Sequence, residues 1–156
     1  MRILILYSGQ LGTTKRVAEQ LAEEVGADVA STEKKYDVSE YDIVVLGTNI
    51  RMGRFNRRFL KALKRTKGKQ RFIYIVGAEI ERKDYFIARA ALDAEDAKIR
   101  YVWGELNSEG TKGFTKFALE SFVEGRRKDN LPVPRLLQRE IIALISDIKD
   151  VKNKQK

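Results

Sequence analysis

The stretch Met1-Arg2-Ile3-Leu4-Ile5-Leu6-Tyr7-Ser8-Gly9-Gln10-Leu11-Gly12-Thr13-Thr14 passes in one step from an apolar run to a turn of glycines and hydroxyls. Ile3 to Tyr7 is uninterrupted by charge, as expected of a strand covered on both faces of a parallel sheet. The run is too short for a signal peptide, and no small-residue cleavage site follows it. Beyond the turn, Thr14 to Val25 has helical spacing. Val17, Ala18, Leu21, Ala22 and Val25 share one face, and Gly26 is a natural stop.

The same alternation continues outward from this unit. Ala27 to Ser31 reads as a weak edge strand, Ile43 to Leu46 as a buried third strand and Phe72 to Val76 as a fourth. Asn56 to Lys67 reads as a helix with Phe59, Leu60 and Leu63 turned inward. Asp84 to Ala94 is a further helix, and Ile99 to Trp103 the fifth strand. The expected fold class is therefore α/β: a five-stranded parallel sheet of order 2-1-3-4-5 with helices on both faces. Its ligand site is expected outside the carboxyl ends of the strands, at the switch between the first and third. Two helical stretches follow, Gly113 to Glu124 and Arg135 to Val151, separated by Pro132 and Pro134. The later one is longer and carries Leu137, Ile141, Leu144, Ile145 and Ile148 on one face, so it is expected to complete the sheet. The earlier is then an insertion at about 113–128 in a single domain spanning 1–151. A polar tail, 152–156, is expected to fray.

Composition narrows the chemistry. The 156 residues contain no cysteine and no histidine. That excludes thiol nucleophiles, Ser-His pairs, Cys/His zinc sites and haem ligated by either residue, so redox chemistry would come from a bound cofactor. No stretch reaches the roughly 18 apolar residues of a membrane span, and a cytoplasmic location is expected. The net charge of +9 reads either as a solvated basic surface or as a surface for an anionic partner. The basic residues look spread along the whole chain, without an aromatic-interleaved nucleic-acid motif.

The turn Ser8-Gly9-Gln10-Leu11-Gly12-Thr13-Thr14 offers backbone N–H groups and hydroxyls at a helix N-terminus, which suits a phosphate. The competing reading is an ordinary strand-to-helix turn. It is not a P-loop, lacking the Gly-Lys-Ser/Thr ending, nor a dinucleotide glycine fingerprint. The third strand ends in Gly47-Thr48-Asn49-Ile50-Arg51-Met52-Gly53-Arg54-Phe55 and the fourth in Gly77-Ala78-Glu79-Ile80. Glycine at both strand ends suggests close approach of a flat ligand. A receiver domain would need clustered acids where Ser8-Gly9 and Thr48-Asn49 stand.

The Ser8 to Thr14 turn resembles the flavodoxin phosphate loop, whose hydroxyl residues lead to Gly-x-Thr, here Gly12-Thr13-Thr14. The stretch from Gly47 to Phe55 resembles that of flavodoxin-type, menaquinone-dependent protoporphyrinogen IX dehydrogenase, which has an Ile-Arg-aromatic-Gly element there. Met52 stands where that aromatic is expected, and the segment from Glu79 to Asp96 is shorter than in that family. The resemblance implies a flavodoxin-like three-layer sandwich holding FMN noncovalently. Ser8, Gly9, Gln10, Leu11, Gly12, Thr13 and Thr14 would take the phosphate. Thr48, Asn49, Ile50, Arg51, Met52 and Gly53 on one side, and Gly77, Ala78 and Glu79 on the other, would flank the isoalloxazine. The implied activity is two-electron oxidation of a porphyrinogen, with a quinone as acceptor. The alternatives are a flavodoxin electron carrier and a basic binding module without cofactor.

Arg51 and Arg54 bear on that choice. A cation about 7 Å from the flavin, at an effective dielectric of about 20, favours an anionic reduced form by about 2 kcal/mol. That corresponds to roughly 0.1 V for one electron. A basic rim therefore suits a dehydrogenase better than a low-potential shuttle, unless both arginines simply lie in solvent. Trp103 reads as a core residue that also lies near the rim. The aromatic helix of Phe114, Phe117 and Phe122 is flanked by Lys112, Lys116, Arg126, Arg127 and Lys128. It reads as packed on the core, or as a lid or peripheral membrane contact through 112–128.

Overall fold

The structure is a computed structural model and describes residues 1–9, 12–104, 113–132, 136 and 138–155. Of the sequence expectations, Gln10, Leu11, Lys112, the start of the last helix at Arg135 and its residue Leu137 lie outside the described residues, as does the side chain of Phe114.

The elements are β1 (Ile3–Ser8), α1 (Thr13–Val25), β2 (Asp28–Ser31), β3 (Ile43–Arg51), β4 (Arg54–Phe55), α2 (Arg57–Arg65), β5 (Gln70–Gly77), α3 (Lys83–Ala91), β6 (Lys98–Trp103), α4 (Gly113–Lys128) and α5 (Gln138–Lys154). A single 3-10 turn, Ile80–Arg82, leads into α3. The parallel sheet runs β2-β1-β3-β5-β6, which is the expected order once the short β4 is set aside.

Alternation along β1 divides the core. Ile3 and Ile5 face one layer with Ile43, Val45, Phe72 and Tyr74, covered by Val17, Leu21 and Val25 of α1 and Ile141, Leu144 and Ile148 of α5. Leu4 and Leu6 face the other with Val44, Leu46, Ile73 and Ile75, covered by Phe59 and Leu63 of α2 and Phe86 and Ala90 of α3. Two helices on each face of one sheet make three layers. Burying each such Leu, Ile or Phe is worth about 1.5–3 kcal/mol, and this apolar surface is what holds the layers.

Three expectations change. β3 does not end near Leu46 but runs to Arg51, and the expected loop from Thr48 to Phe55 is a hairpin in which Ile50 faces Phe55 and Arg51 faces Arg54. The chain end does not fray at Lys152: α5 is helical to Lys154, and Lys152 Nζ donates to the Val25 carbonyl at 3.0 Å. A cation on the last carbonyls of α1 is favourable to its dipole. For α4, no described side chain belongs to either core cluster. It is tied down by Arg126, whose guanidinium bonds both Glu81 oxygens at 2.8 and 3.1 Å and the Pro132 carbonyl at 2.6 Å. Phe117 stays 67% exposed. Among the described residues no helix is long and apolar enough to cross a membrane.

Candidate functional site

Strand register brings the expected segments together. Ser8 pairs with Thr48, Asn49 with Val76, and Gly77 with Trp103. The ends of β1, β3, β5 and β6 thus form one rim at the carboxyl edge of the sheet.

At its centre is the start of α1. Gly12 is the N-cap residue at φ 84°, ψ −26°, with no side-chain cap and no acidic residue in the first turn. The left-handed backbone favours glycine. The first N–H groups of a 13-residue helix thus lack a capping side chain, and its dipole favours an anion there. Thr13 and Thr14 are nearly buried, at 5% and 3% exposure. A Cβ on Gly9 would lie 2.9 Å from Thr14 Oγ1 and 3.4 Å from Asn49 Cγ. Gly9 therefore lets β1 pass beside both residues. The Ser8 hydroxyl, expected to face an anion, instead shares a 2.6 Å hydrogen bond with Thr32 Oγ1, and both side chains are buried. Thr32 was not among the sequence candidates. Its signal is a hydroxyl just past β2, where a parallel neighbour of β1 must end. Thr13 Oγ1 accepts from Arg16 at 3.5 Å, and Thr48 Oγ1 donates to the Asn49 carbonyl at 3.1 Å.

Gly47, inside β3, and Gly77, at the end of β5, have a reason within the protein. A Cβ on Gly47 would stand 2.0 Å from Tyr74 Cζ, and one on Gly77 would stand 1.9 Å from the Tyr101 hydroxyl. Each glycine lets a tyrosine from the next strand cross it. Tyr74 then donates to the Thr14 carbonyl at 2.8 Å, and Tyr101 to the Glu79 carbonyl at 2.9 Å. Burial pushes both phenols up, so both remain protonated donors. Trp103 Nε1 donates to the Ala78 carbonyl at 2.9 Å, and the ring is only 8% exposed. These bonds fix the α1 entry and the Ala78–Glu79 loop from within the sheet.

The hairpin is the outer wall. Met52 and Gly53 have φ of 51° and 72° between the paired Arg51 and Arg54, as a two-residue type I′ turn requires. Met52 is 92% exposed. Left-handed backbone costs a non-glycine residue about 1–2 kcal/mol, so the tip is strained as well as bare. Ile50 turns back to pack with Phe55 against the α2–α3 layer. Arg82 NH1 lies 3.9 Å from where a Gly53 Cβ would be, and its guanidinium covers the Tyr85 and Phe86 rings. Arg82, which also pairs with Glu79 at 3.7 Å, therefore joins Arg51 and Arg54 at the rim, and sequence reading missed it. A separate groove of about 200 Å³ runs outside β6 between α3 and α5. Its Arg100 is already paired with Asp147 at 2.7 Å and Glu140 at 3.2 Å.

The basic residues are not spread evenly, contrary to the sequence expectation. Residues 51–71 hold ten of the 31 lysines and arginines and no aspartate or glutamate. Those on α2 are exposed.

A doubly wound sheet whose first turn presents an uncapped helix start at the strand-order switch defines a nucleotide- or phosphate-binding α/β protein. Residues 4–155 match the family model described as the flavodoxin domain, and the chain belongs to that family. No curated protein matches it. Among solved structures it is similar to a flavoprotein in complex with FMN from Lactobacillus acidophilus, at TM-score 0.53 and 14% identity, over 64% of this chain and 90% of that one. A flavodoxin from the domain Archaea gives TM-score 0.51 and 13% identity, over 96% and 99%. Rubredoxin oxygen:oxidoreductase from Desulfovibrio gigas gives 0.52 and 11%, over 94% of this chain but only 36% of that one. At these identities the likeness is one of fold.

Proposed function

We propose that the protein binds FMN at this rim and uses it as an oxidoreductase, resembling flavodoxin-type protoporphyrinogen IX dehydrogenase. The observation that carries the reading is the start of α1 within a flavodoxin domain: a left-handed Gly12 without a capping side chain, followed by Thr13 and Thr14. These donors fit a phosphate: N–H groups and hydroxyls, a favourable dipole and no acid in the first turn of the helix. The phosphate sits on Gly12 to Thr14, and Gly9 lets the chain pass close beside Thr14. The ring system lies between the Asn49–Gly53 hairpin and the Gly77–Glu79 loop. Bound there, FMN supplies the hydride and electron chemistry. The chain's own part is to orient the ring through loops held by Tyr74, Tyr101 and Trp103, and to set its electrostatics. Arg51, Arg54 and Arg82 favour negative charge on the bound group and an anionic, carboxylate-bearing substrate. A quinone is the acceptor that the resemblance implies. Peripheral membrane contact through 112–128 belongs to the same proposal and would use the exposed Phe117. Residues 1–151 would act as one domain carrying the 113–128 helix as an insertion.

A one-electron carrier is the second reading. It is favoured by the exposed cations of α2, which extend beyond the reach of a small substrate at the hairpin. Anaerobic addition of protoporphyrinogen to the FMN-loaded protein separates the two. Bleaching of the flavin spectrum, with a single two-electron wave in a redox titration, is the expected result. A flavin that stays oxidised with this donor removes the substrate. Two well-separated one-electron steps favour the carrier.

A further inference from the structure

The chain's net charge of +9 resides in one segment, since residues 51–71 hold ten cations and no acid. α2 turns Phe59, Ala62 and Leu63 into the core. Arg57, Arg58, Lys61, Lys64 and Arg65 are all exposed, and helical spacing sets them opposite that apolar side. Among the described residues Arg57, Arg58, Lys61 and Lys64 have no ion pair. Arg57 and Arg58 occupy the first turn, where no acid is present and the helix dipole disfavours cations. Local stability does not explain this placement. α2 follows β4 after one residue, so the stripe begins at the hairpin that walls the site. At that end stands Met52, 92% exposed.

We propose that this face docks an acidic protein that exchanges electrons with the site. The proposal rests on reading the site as a flavin redox site, whichever small substrate it serves. Residues 57–65 span roughly 12 Å at about 1.5 Å per residue, a longer reach than a small carboxylate needs. The α2 face exposes no apolar or aromatic side chain for lipid insertion or base stacking. One bare apolar contact bordered by cations, continuous with a redox site, has the character of a small transient electron-transfer interface. Its charge steers encounter more than it holds the complex. In each encounter a reduced iron–sulfur partner gives up one electron and is oxidised, and the site is reduced. A second encounter and protons from water complete a two-electron reduction.

The test uses the full chain and a reduced acidic [2Fe–2S] ferredoxin as probe. Stopped-flow reduction of the FMN-loaded protein should slow about tenfold between 20 and 300 mM NaCl, as screening removes the steering. The combined variant Arg57→Gln, Arg58→Gln, Lys61→Gln should slow the low-salt rate about tenfold and flatten its salt dependence. FMN affinity, and oxidation of the reduced protein by neutral benzoquinone, should not change. Equal low-salt rates for variant and wild type overturn the proposal. Calorimetry of ferredoxin with protein given no flavin reads docking alone. Binding lost in the variant supports the face, and no binding by wild type overturns it. Binding to ferredoxin by a protein that takes up no FMN leaves the docking face standing and removes the flavin reading. If the variant loses capture by phosphatidylserine vesicles or duplex DNA while its ferredoxin rate is unchanged, the face belongs to lipid or nucleic acid, and the proposal fails.

Discussion

Tyr74 reaches the Thr14 carbonyl only because position 47 has no side chain. That contact couples three elements through one phenol: β5 supplies it, β3 makes room for it, and α1 receives it. Gly47→Ala should destabilise the protein by about 1–3 kcal/mol, as overpacking does. In a Tyr74→Leu background the same change should cost well under about 1 kcal/mol, because the clash has gone. Urea unfolding of the four proteins measures this coupling, and an equal cost in both backgrounds would remove the steric account. Gly47 and Gly77 were visible in the sequence as glycines at strand ends, where close approach of a ligand was the natural reading. Their stated reason lies on the next strand, at Tyr74 and Tyr101, and no local pattern links residues 27 or 24 positions apart.

At the scale of elements, the β3–β4 hairpin carries the strain. Met52→Asn should stabilise the protein by about 0.5–1 kcal/mol, since asparagine tolerates the left-handed region better. A chemical denaturation midpoint that falls or stays put would show that the turn is not strained at Met52. The hairpin was hidden because the usual Asn-Gly or Asp-Gly signal is missing and Gly47-Thr48-Asn49 reads as the start of a loop. β1, β3, β5 and β6 were legible because each holds an apolar run and each is followed along the chain by a helix. β2, Asp28-Val29-Ala30-Ser31, is instead a largely exposed edge strand marked only by its place after α1. α1 was legible almost to the residue, since its apolar face and its Gly26 stop are both local. The Ser8–Thr32 bond was not, because it joins the ends of two strands across the sheet. The last turn of α5 was missed for a similar reason: Lys152 is polar, and its partner is the end of α1.

At the scale of the whole molecule, charge is sorted. The cations concentrate on the α2 side, while the acid-limb stability rests on paired carboxylates elsewhere. Burial alone would raise the Asp147 carboxyl, but hydrogen bonds from Arg100 and Lys98 outweigh it and hold the group below its ordinary 3.8. Glu81 is lowered by its hydrogen bond from Arg126, and Asp96 by that from Arg71. Groups depressed in the folded state contribute stability that is present above their unfolded values and lost as the pH falls through the folded ones. The melting temperature should therefore hold between pH 7 and about 5 and drop below about pH 4. Asp147→Asn should lose about 1–2 kcal/mol at pH 7 and show a shallower acid limb. A limb unchanged by the substitution would contradict the assignment. The central claim is that the start of α1 holds the phosphate of FMN. Flavin fluorescence titrations of wild type and Thr14→Ala with FMN and with riboflavin test it directly. Wild type should prefer FMN, and Thr14→Ala should lose about 1.5–3 kcal/mol for FMN, as for a hydrogen bond to a charged group, with riboflavin almost unaffected. Equal weakening of both ligands, or no weakening of either, would contradict it.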